Sequence, residues 1–159
     1  MKKTTSRNGF TLIELIIVMV ILGIMAAVAV PRYLDSIANA EESAEDAVIS
    51  AVRNGLKQYA NNSLLDNGRA TWPTDPFSAL SEKPAGYTED DDVADTDGEW
   101  TFVYFMDGVG MITHQRADNS RFTWDYDSGI AEDDTWNYNP LGDETAIGTL
   151  GPRTAVGTE

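Results

Sequence analysis

The chain begins with MKKTTSRNGFTLIELIIVMVILGIMAAVAVP (residues 1–31), and this stretch decides the fold. Residues 10–30 form an apolar run that is long enough to cross a bilayer as a helix, and Pro31 follows it. Glu14 is the single charged residue of the run. Because a carboxylate is costly inside lipid, Glu14 indicates either a partner or a function.

Charge sets the orientation of this segment and excludes one class of partner. Lys2, Lys3 and Arg7 precede the apolar run, whereas acidic residues dominate after it, so the N-terminus is predicted in the cytoplasm and the C-terminal part outside. The net charge is −15, from 26 acidic and 11 basic residues. No basic stripe follows Arg32, which argues against nucleic acid as a partner.

The apolar run has three interpretations. It could be a secretory signal with a small-x-small cleavage site ending at Ala29, which leaves Glu14 unexplained. It could be an uncleaved anchor in which Glu14 stabilises the N-terminus of its own helix. The third interpretation depends on the order of residues 7–15, RNGFTLIEL.

The sequence RNGFTLIEL resembles the N-terminus of type IV pilins and of type II secretion pseudopilins. The resemblance implies a leader peptide, residues 1–9, that a prepilin peptidase removes after Gly9. It also implies that Phe10 becomes the new N-terminus and is N-methylated by the same enzyme. Glu14 would then pair with the amine of Phe10 in a neighbouring subunit.

The same resemblance implies a function, partners and a location. The chain would be a structural filament subunit, and its partners would be other subunits and an inner-membrane assembly platform. It would reside in the bacterial inner membrane before assembly and in a surface pilus or periplasmic pseudopilus afterwards. The chain departs from many pilins because it has no cysteines, and therefore lacks the pair that closes their C-terminal loop.

Two residues of the apolar run weaken an α-helix. Gly23 does so through backbone entropy, and Pro31 does so because it lacks an N–H and clashes with the preceding turn. In the family that the chain resembles, such residues mark a helix break that forms on packing into a filament. The alternative is that Pro31 only marks where the helix leaves the bilayer.

The helical period continues over residues 32–61, but only one face remains apolar. The acidic residues Glu41, Glu42, Glu45 and Asp46 are assigned to the opposite, polar face. The apolar residues predicted to face a domain are Leu34, Ile37, Ala40, Ala44, Ala47, Val48, Ala51, Val52, Leu56 and Tyr59. The sequence thus predicts a transmembrane half (10–31) and an amphipathic half (32–61) of one long helix.

Residues 62–159 are predicted to form the exported domain. A proline-rich connection carries Trp72, Phe77, Leu80 and Tyr87, which are interpreted as core anchors. Alternating aromatic residues then predict an antiparallel meander at about 99–127, with its aromatic face against the helix. The tail, residues 130–159, is predicted to be irregular. The resulting fold class is α+β, with a long helix packed on a small antiparallel sheet.

Metal and catalytic functions find little support. Seven carboxylates lie between Glu89 and Glu99, and they predict a solvated loop. A calcium site at Asp95 and Asp97 is the alternative, on a partial match to a calcium-binding loop. His114 is the only histidine and is interpreted as an ordinary strand residue, so we predict neither catalysis nor a cofactor.

The sequence therefore predicts a structural subunit of a type IV pilus or type II secretion pseudopilus, processed after Gly9. The alternative is a soluble periplasmic binding module released by cleavage after Ala29. The two differ in the first residue of the mature chain, which is Phe10 in one case and Val30 in the other.

Overall fold

The computed structural model describes residues 9–89, 92–106, 108–129 and 147–156. It contains one long helix, α1 (Leu12–Asn67), and four strands, β1 (Trp100–Met106), β2 (Val109–Gln115), β3 (Arg121–Asp127) and β4 (Thr154–Val156). A short 3₁₀ helix, Pro76–Ala79, lies in the connection between α1 and β1. The chain divides into two compact units, Met1–Ser43 and Ala44–Glu159. The fold is α+β, as predicted.

The first unit contains the apolar part of α1. Its large apolar side chains are exposed in the single chain, from 47% at Ile16 to 76% at Leu12. By length and composition, α1 is able to cross a membrane. The helix is continuous through Gly23 and Pro31 in the single chain, so a break at these residues on assembly stays a prediction. Residues 1–8, most of the predicted leader, lie outside the described residues.

The helix extends six residues beyond the predicted end at Asn61. It ends at Asn67, and Gly68 follows with a φ of 71°. The N–H of Gly68 donates to the carbonyl of Leu64 at 2.9 Å. Such a left-handed glycine satisfies one of the last helix carbonyls, which is why the helix ends here.

The core of the second unit lies between α1 and one face of the sheet. Ile49, Val52 and Leu56 are buried against aromatic side chains of the strands, including Trp100 and Trp124. The prediction that the aromatic face of the meander covers the helix is confirmed.

The predicted face of the helix was right for Val52 and Leu56, which are buried, but wrong for six of its ten residues. The residues of α1 that are buried are Glu45, Ile49, Val52, Leu56, Ala60 and Ser63. The residues of the predicted face that are exposed instead are Leu34, Ala40, Ala44, Ala47, Ala51 and Tyr59. Larger aliphatic side chains remove more apolar area from water than alanine does, so they take the side that faces the sheet.

The sheet has the order β1-β2-β3-β4, and every neighbouring pair is antiparallel. The first three strands form the predicted meander. The predicted irregular tail was wrong for its described part, because β4 pairs with β3 and Leu150 forms a bridge with Tyr126. The interpretation of residues 130–146 and 157–159 lies outside the described residues.

The connection between α1 and β1 is anchored as predicted. Phe77 is fully buried in the core, and Trp72, Leu80 and Tyr87 pack against it while partly buried. Asp75 fixes the turn, because its carboxylate accepts hydrogen bonds from the Phe77 N–H at 2.8 Å and from the Tyr87 hydroxyl at 3.1 Å.

Candidate functional site

The first candidate site is the N-terminus of α1, where Thr11 and Glu14 bond to each other. The Glu14 carboxylate oxygen Oε2 accepts hydrogen bonds from the Thr11 N–H and the Thr11 hydroxyl, both at 2.8 Å. The Glu14 N–H donates back to the Thr11 hydroxyl at 3.3 Å. This reciprocal pattern is a capping box, which satisfies donors that the first helical turn leaves unpaired.

The capping box uses only one of the two carboxylate oxygens. In the part of the chain that the structure describes, both bonds to Glu14 go to Oε2, and Oε1 accepts none. An ionised carboxylate offers about four acceptor positions, so the cap leaves capacity for another donor. Phe10, at the start of the segment, is 93% exposed. The sequence signal for the cap, Thr-x-x-Glu ahead of an apolar run, was present but was not used in the prediction.

The second candidate site surrounds Glu45, one turn before Ile49 on the buried face of α1. Its side chain is completely buried. Arg116, which follows β2, binds the Glu45 carboxylate in a bidentate manner. Its Nε donates to Oε1 and its Nη2 donates to Oε2, each at 2.6 Å. Paired bonds of this kind between guanidinium and carboxylate are among the stronger hydrogen bonds in proteins.

Two further groups complete the Glu45 cluster, which consists of Glu45, His114, Arg116 and Arg153. His114 Nδ1 lies 2.9 Å from Oε1, and Arg153 Nη1 donates to Oε2 at 3.2 Å. A carboxylate only accepts hydrogen bonds, so Nδ1 of His114 carries a proton. Trp100 stacks on the His114 ring at 4.1 Å between ring centroids.

Aromatic packing also holds the two arginines. The guanidinium carbon of Arg116 lies 4.0 Å from the centroid of the Phe122 ring, and that of Arg153 lies 5.2 Å from it. Cations are attracted to the faces of aromatic rings, so Phe122 supports the same arrangement that Glu45 organises. The cluster thereby joins α1, the end of β2, β3 and the segment before β4.

The cluster keeps Glu45 ionised. Burial by itself would raise the pKa of Glu45, but hydrogen bonds from Arg116 and His114, with the charge of Arg116, outweigh burial and hold that pKa at about 2. The arrangement is suited to fastening the helix to the sheet, because a buried anion is stable only with its partners in place.

Sequence reasoning missed the Glu45 cluster. Glu45 was assigned to the polar face of the helix, and His114 was interpreted as an ordinary strand residue. The partners lie 69, 71 and 108 residues away along the chain, so no local spacing connects them. One signal was available: Glu45 lies four residues before Ile49 and seven before Val52, on the helical face of the larger aliphatic residues.

The described part of the acidic loop is held by its own hydrogen bonds, and the alternative of a calcium site at Asp95 and Asp97 stays a prediction. The Glu99 carboxylate accepts hydrogen bonds from the backbone N–H groups of Asp95 and Thr96, at 2.9 and 3.1 Å. Within the described ranges, which omit residues 90 and 91, no group of three or more His, Cys, Asp or Glu side chains is arranged to hold a metal ion. Asp95 and Asp97 are exposed, in keeping with a solvated loop.

Comparison with known proteins gives a family match at the first site. Residues 4–30 match the prokaryotic N-terminal methylation motif. This range contains Gly9, Phe10, Thr11 and Glu14. No solved structure matches the chain.

Curated relatives match about half of the chain. The type IV major pilin protein PilE of Neisseria gonorrhoeae is 45% identical over 75 residues, which cover 47% of this chain and 41% of that protein. The type II secretion system core protein G of Aeromonas hydrophila is 35% identical over 83 residues, covering 52% of this chain and 55% of that protein. The chain thus spans about half the length of the curated relatives that it matches.

Proposed function

We propose, on the premise that this chain belongs to the family of type IV pilins and type II secretion pseudopilins, that it is a structural subunit of such a filament. The single observation that carries the proposal is the methylation motif at residues 4–30, which includes the exposed apolar part of α1. A lone subunit leaves this helix surface without protein contacts. Lipid would cover it before assembly and neighbouring helices afterwards.

The proposal includes a processing step at Gly9. A prepilin peptidase cuts between Gly9 and Phe10 and methylates the new amine of Phe10. A Cβ added to Gly9 would meet no atom of the described residues within 4 Å, so their packing does not require glycine here. The requirement is attributed to the peptidase, whose cleft must accept the backbone at this position.

Glu14 is proposed to guide assembly. Its Oε2 caps the helix of its own subunit, whereas Oε1 is directed to the Phe10 amine of a neighbour. Pairing relieves two groups that are both poorly solvated in a membrane. The capping box therefore positions the carboxylate for its partner and is compatible with the intersubunit contact.

The location follows from the same argument. The precursor resides in the bacterial inner membrane with its N-terminus in the cytoplasm, and residues 44–159 lie outside. An inner-membrane platform brings subunits together, and the product is a surface pilus or a periplasmic pseudopilus. Gly23 and Pro31 are proposed as the positions where the helix loosens when it packs into the filament.

The test is the mass and N-terminal sequence of the mature chain from its native membrane. We expect a chain that starts at Phe10, with the added mass of one methyl group. A start at Val30 would instead support release after Ala29 and contradict the proposal.

A matched pair of variants isolates the processing site. Gly9→Val should leave uncut precursor in the membrane, whereas Gly23→Val, a like change that also meets no neighbouring atom, should be processed normally. Normal processing of Gly9→Val would remove the peptidase from the proposal.

A further inference from the structure

A groove with two cations at its side runs along the second unit. It encloses about 610 Å³ between α1, the start of the connection after α1, and residues 147–150. Arg53 and Lys57 line it together with apolar side chains, among which Leu64 is 49% exposed and Ile147 is 53% exposed. Exposed apolar side chains in a concave surface mark an interaction site.

The charge of the groove selects its occupant. The chain carries a net charge of −15, so a basic, apolar groove is unusual on its surface. Arg53 donates one hydrogen bond to the Gly151 carbonyl at 3.2 Å, and Lys57 forms no ion pair with any residue that the structure describes. An acidic segment that also presents an apolar side chain has the matching chemistry.

The chain itself carries such a segment, the loop 92–97. Val93 is 37% exposed, and the carboxylates of Asp92, Asp95 and Asp97 are exposed around it. The loop is fixed to the sheet and therefore presents a defined surface: the Ala94 N–H donates to the Thr113 hydroxyl at 2.7 Å, and Arg121 Nε donates to the Ala94 carbonyl at 2.7 Å.

The groove and the loop lie at opposite ends of the sheet. The loop is bonded to Thr113, two residues before the end of β2, and to the first residue of β3. The segment that lines the groove is bonded to the end of β3, where the Gly148 N–H donates to the Asp127 carbonyl at 2.7 Å. A strand of seven residues separates the ends by roughly 20 Å. One copy therefore cannot fill its own groove with this loop, but a second copy can.

We infer that the groove receives the loop 92–97 of a second copy of this chain. Val93 enters beside Leu64 and Ile147, while Asp92 meets Lys57 and Asp97 meets Arg53. Two different, complementary surfaces at opposite ends make a head-to-tail contact, which extends into an open filament when the rotation does not close a ring. The inference rests on the proposed function and adds a contact outside the apolar helix.

Disulfide cross-linking tests the contact in the full chain, which has no cysteine of its own. The variant Lys57→Cys/Asp92→Cys should give, on mild oxidation of assembled material, a ladder of covalent multimers. Each single variant should stop at a dimer at most. The control Asn62→Cys/Asp92→Cys places the helix cysteine at an exposed position that does not line the groove, and it should give no ladder.

Charge reversal provides a second, independent measurement. Lys57→Glu should reduce the sedimentable, assembled fraction of the chain, and Asp92→Lys in the same chain should restore it. Rescue by the second change is expected only if the two positions meet, since a general loss of folding would not be repaired by it.

The outcomes separate this inference from the proposed function. If the unsubstituted chain forms no filament, the proposed function fails. If filaments form and both cysteines are present but no ladder appears, this contact alone is wrong. A product that stops at a doubly linked dimer would indicate a symmetric pair of copies and would also overturn the head-to-tail contact.

Discussion

Two carboxylates on one helix have opposite environments. Glu14 lies in the exposed apolar segment of α1, and its bonds within the described chain are to Thr11, three residues away. Glu45 is completely buried, and three basic side chains from distant parts of the sequence surround it. Glu45 thus has its hydrogen-bond partners within the described chain, whereas one oxygen of the Glu14 carboxylate accepts no hydrogen bond from the described residues.

The difference follows from what each helix segment packs against. Residues 44–67 pack against a sheet that supplies His114 and Arg116, so a buried anion there is compensated by the fold. Residues 12–43 form a separate unit with no sheet, and the capping box is the local solution at its N-terminus. A carboxylate in that position is costly in a membrane, and a partner lowers that cost.

The largest expected effect is that of removing the charge of Glu14. Glu14→Gln should remove filament assembly while leaving processing intact, because neither the basic leader nor Gly9 changes. The measurement is a count of filaments, with the variant as the only copy, against an immunoblot of processed protein.

Thr11→Val is the control that separates the cap from the intersubunit contact. It removes the hydroxyl of the capping box but keeps the carboxylate, so filaments should persist. Filaments at normal number from processed Glu14→Gln subunits would show that the intersubunit pairing is wrong.

Removing the charge of Glu45 should instead destabilise the folded second unit. Glu45→Gln leaves Arg116 and His114 without their anion and should lower the free energy of unfolding of the second unit by about 3–5 kcal/mol. The stacked Trp100 and Trp124 report the transition by near-ultraviolet circular dichroism of the full chain in detergent. The neighbouring exposed change Asp46→Asn should leave the transition within about 0.5 kcal/mol of the parent.

Low pH should remove part of the same stabilisation, because it protonates Glu45. The pKa of Glu45 is about 2 in the folded chain, against 4.5 as its ordinary value. Because the folded pKa is the lower one, the stabilisation is complete above about pH 4.5 and declines as the pH falls toward 2. At neutral pH the ionised Glu45 contributes about 3 kcal/mol to the free energy of unfolding. The pH dependence that this contribution causes should be absent from Glu45→Gln. An identical acid profile in both proteins would contradict the pKa assignment.

The smallest expected effect is that of replacing Arg153, the most exposed partner in the Glu45 cluster. Arg153 retains 28% side-chain exposure, and its bond to Glu45 is longer than those of Arg116, at 3.2 Å. Arg153→Gln should therefore lower the free energy of unfolding by only about 0.2–1 kcal/mol, as expected for a partly exposed pair. Arg69→Gln, an exposed arginine outside the cluster, is the comparison. A loss of unfolding free energy as large as that of Glu45→Gln would mean that Arg153 is a main partner of the buried carboxylate.

Local sequence determined a large part of this protein. The apolar run at residues 10–30 specified the first helix segment without reference to the remainder of the chain, since its length and composition alone make it a membrane-spanning candidate. Alternating aromatic residues with turn residues between them specified the three-stranded meander. The motif around Gly9 and Phe10 pointed to the family through a contiguous stretch. In each case the signal lies within a few residues of the feature that it specifies.

Tertiary structure decided which side of the helix is buried and what Glu45 does there. Helical periodicity placed Val52 and Leu56 on the packed side, but it did not decide whether the alanines or Ile49 and Glu45 lie beside them. Burial against Trp100 and Trp124 favours the larger side chains, and this choice carries Glu45 into the core, where residues 69 to 108 positions away compensate its charge. The spacing of residues along the chain does not indicate such distant pairings, because only the folded sheet brings their side chains together.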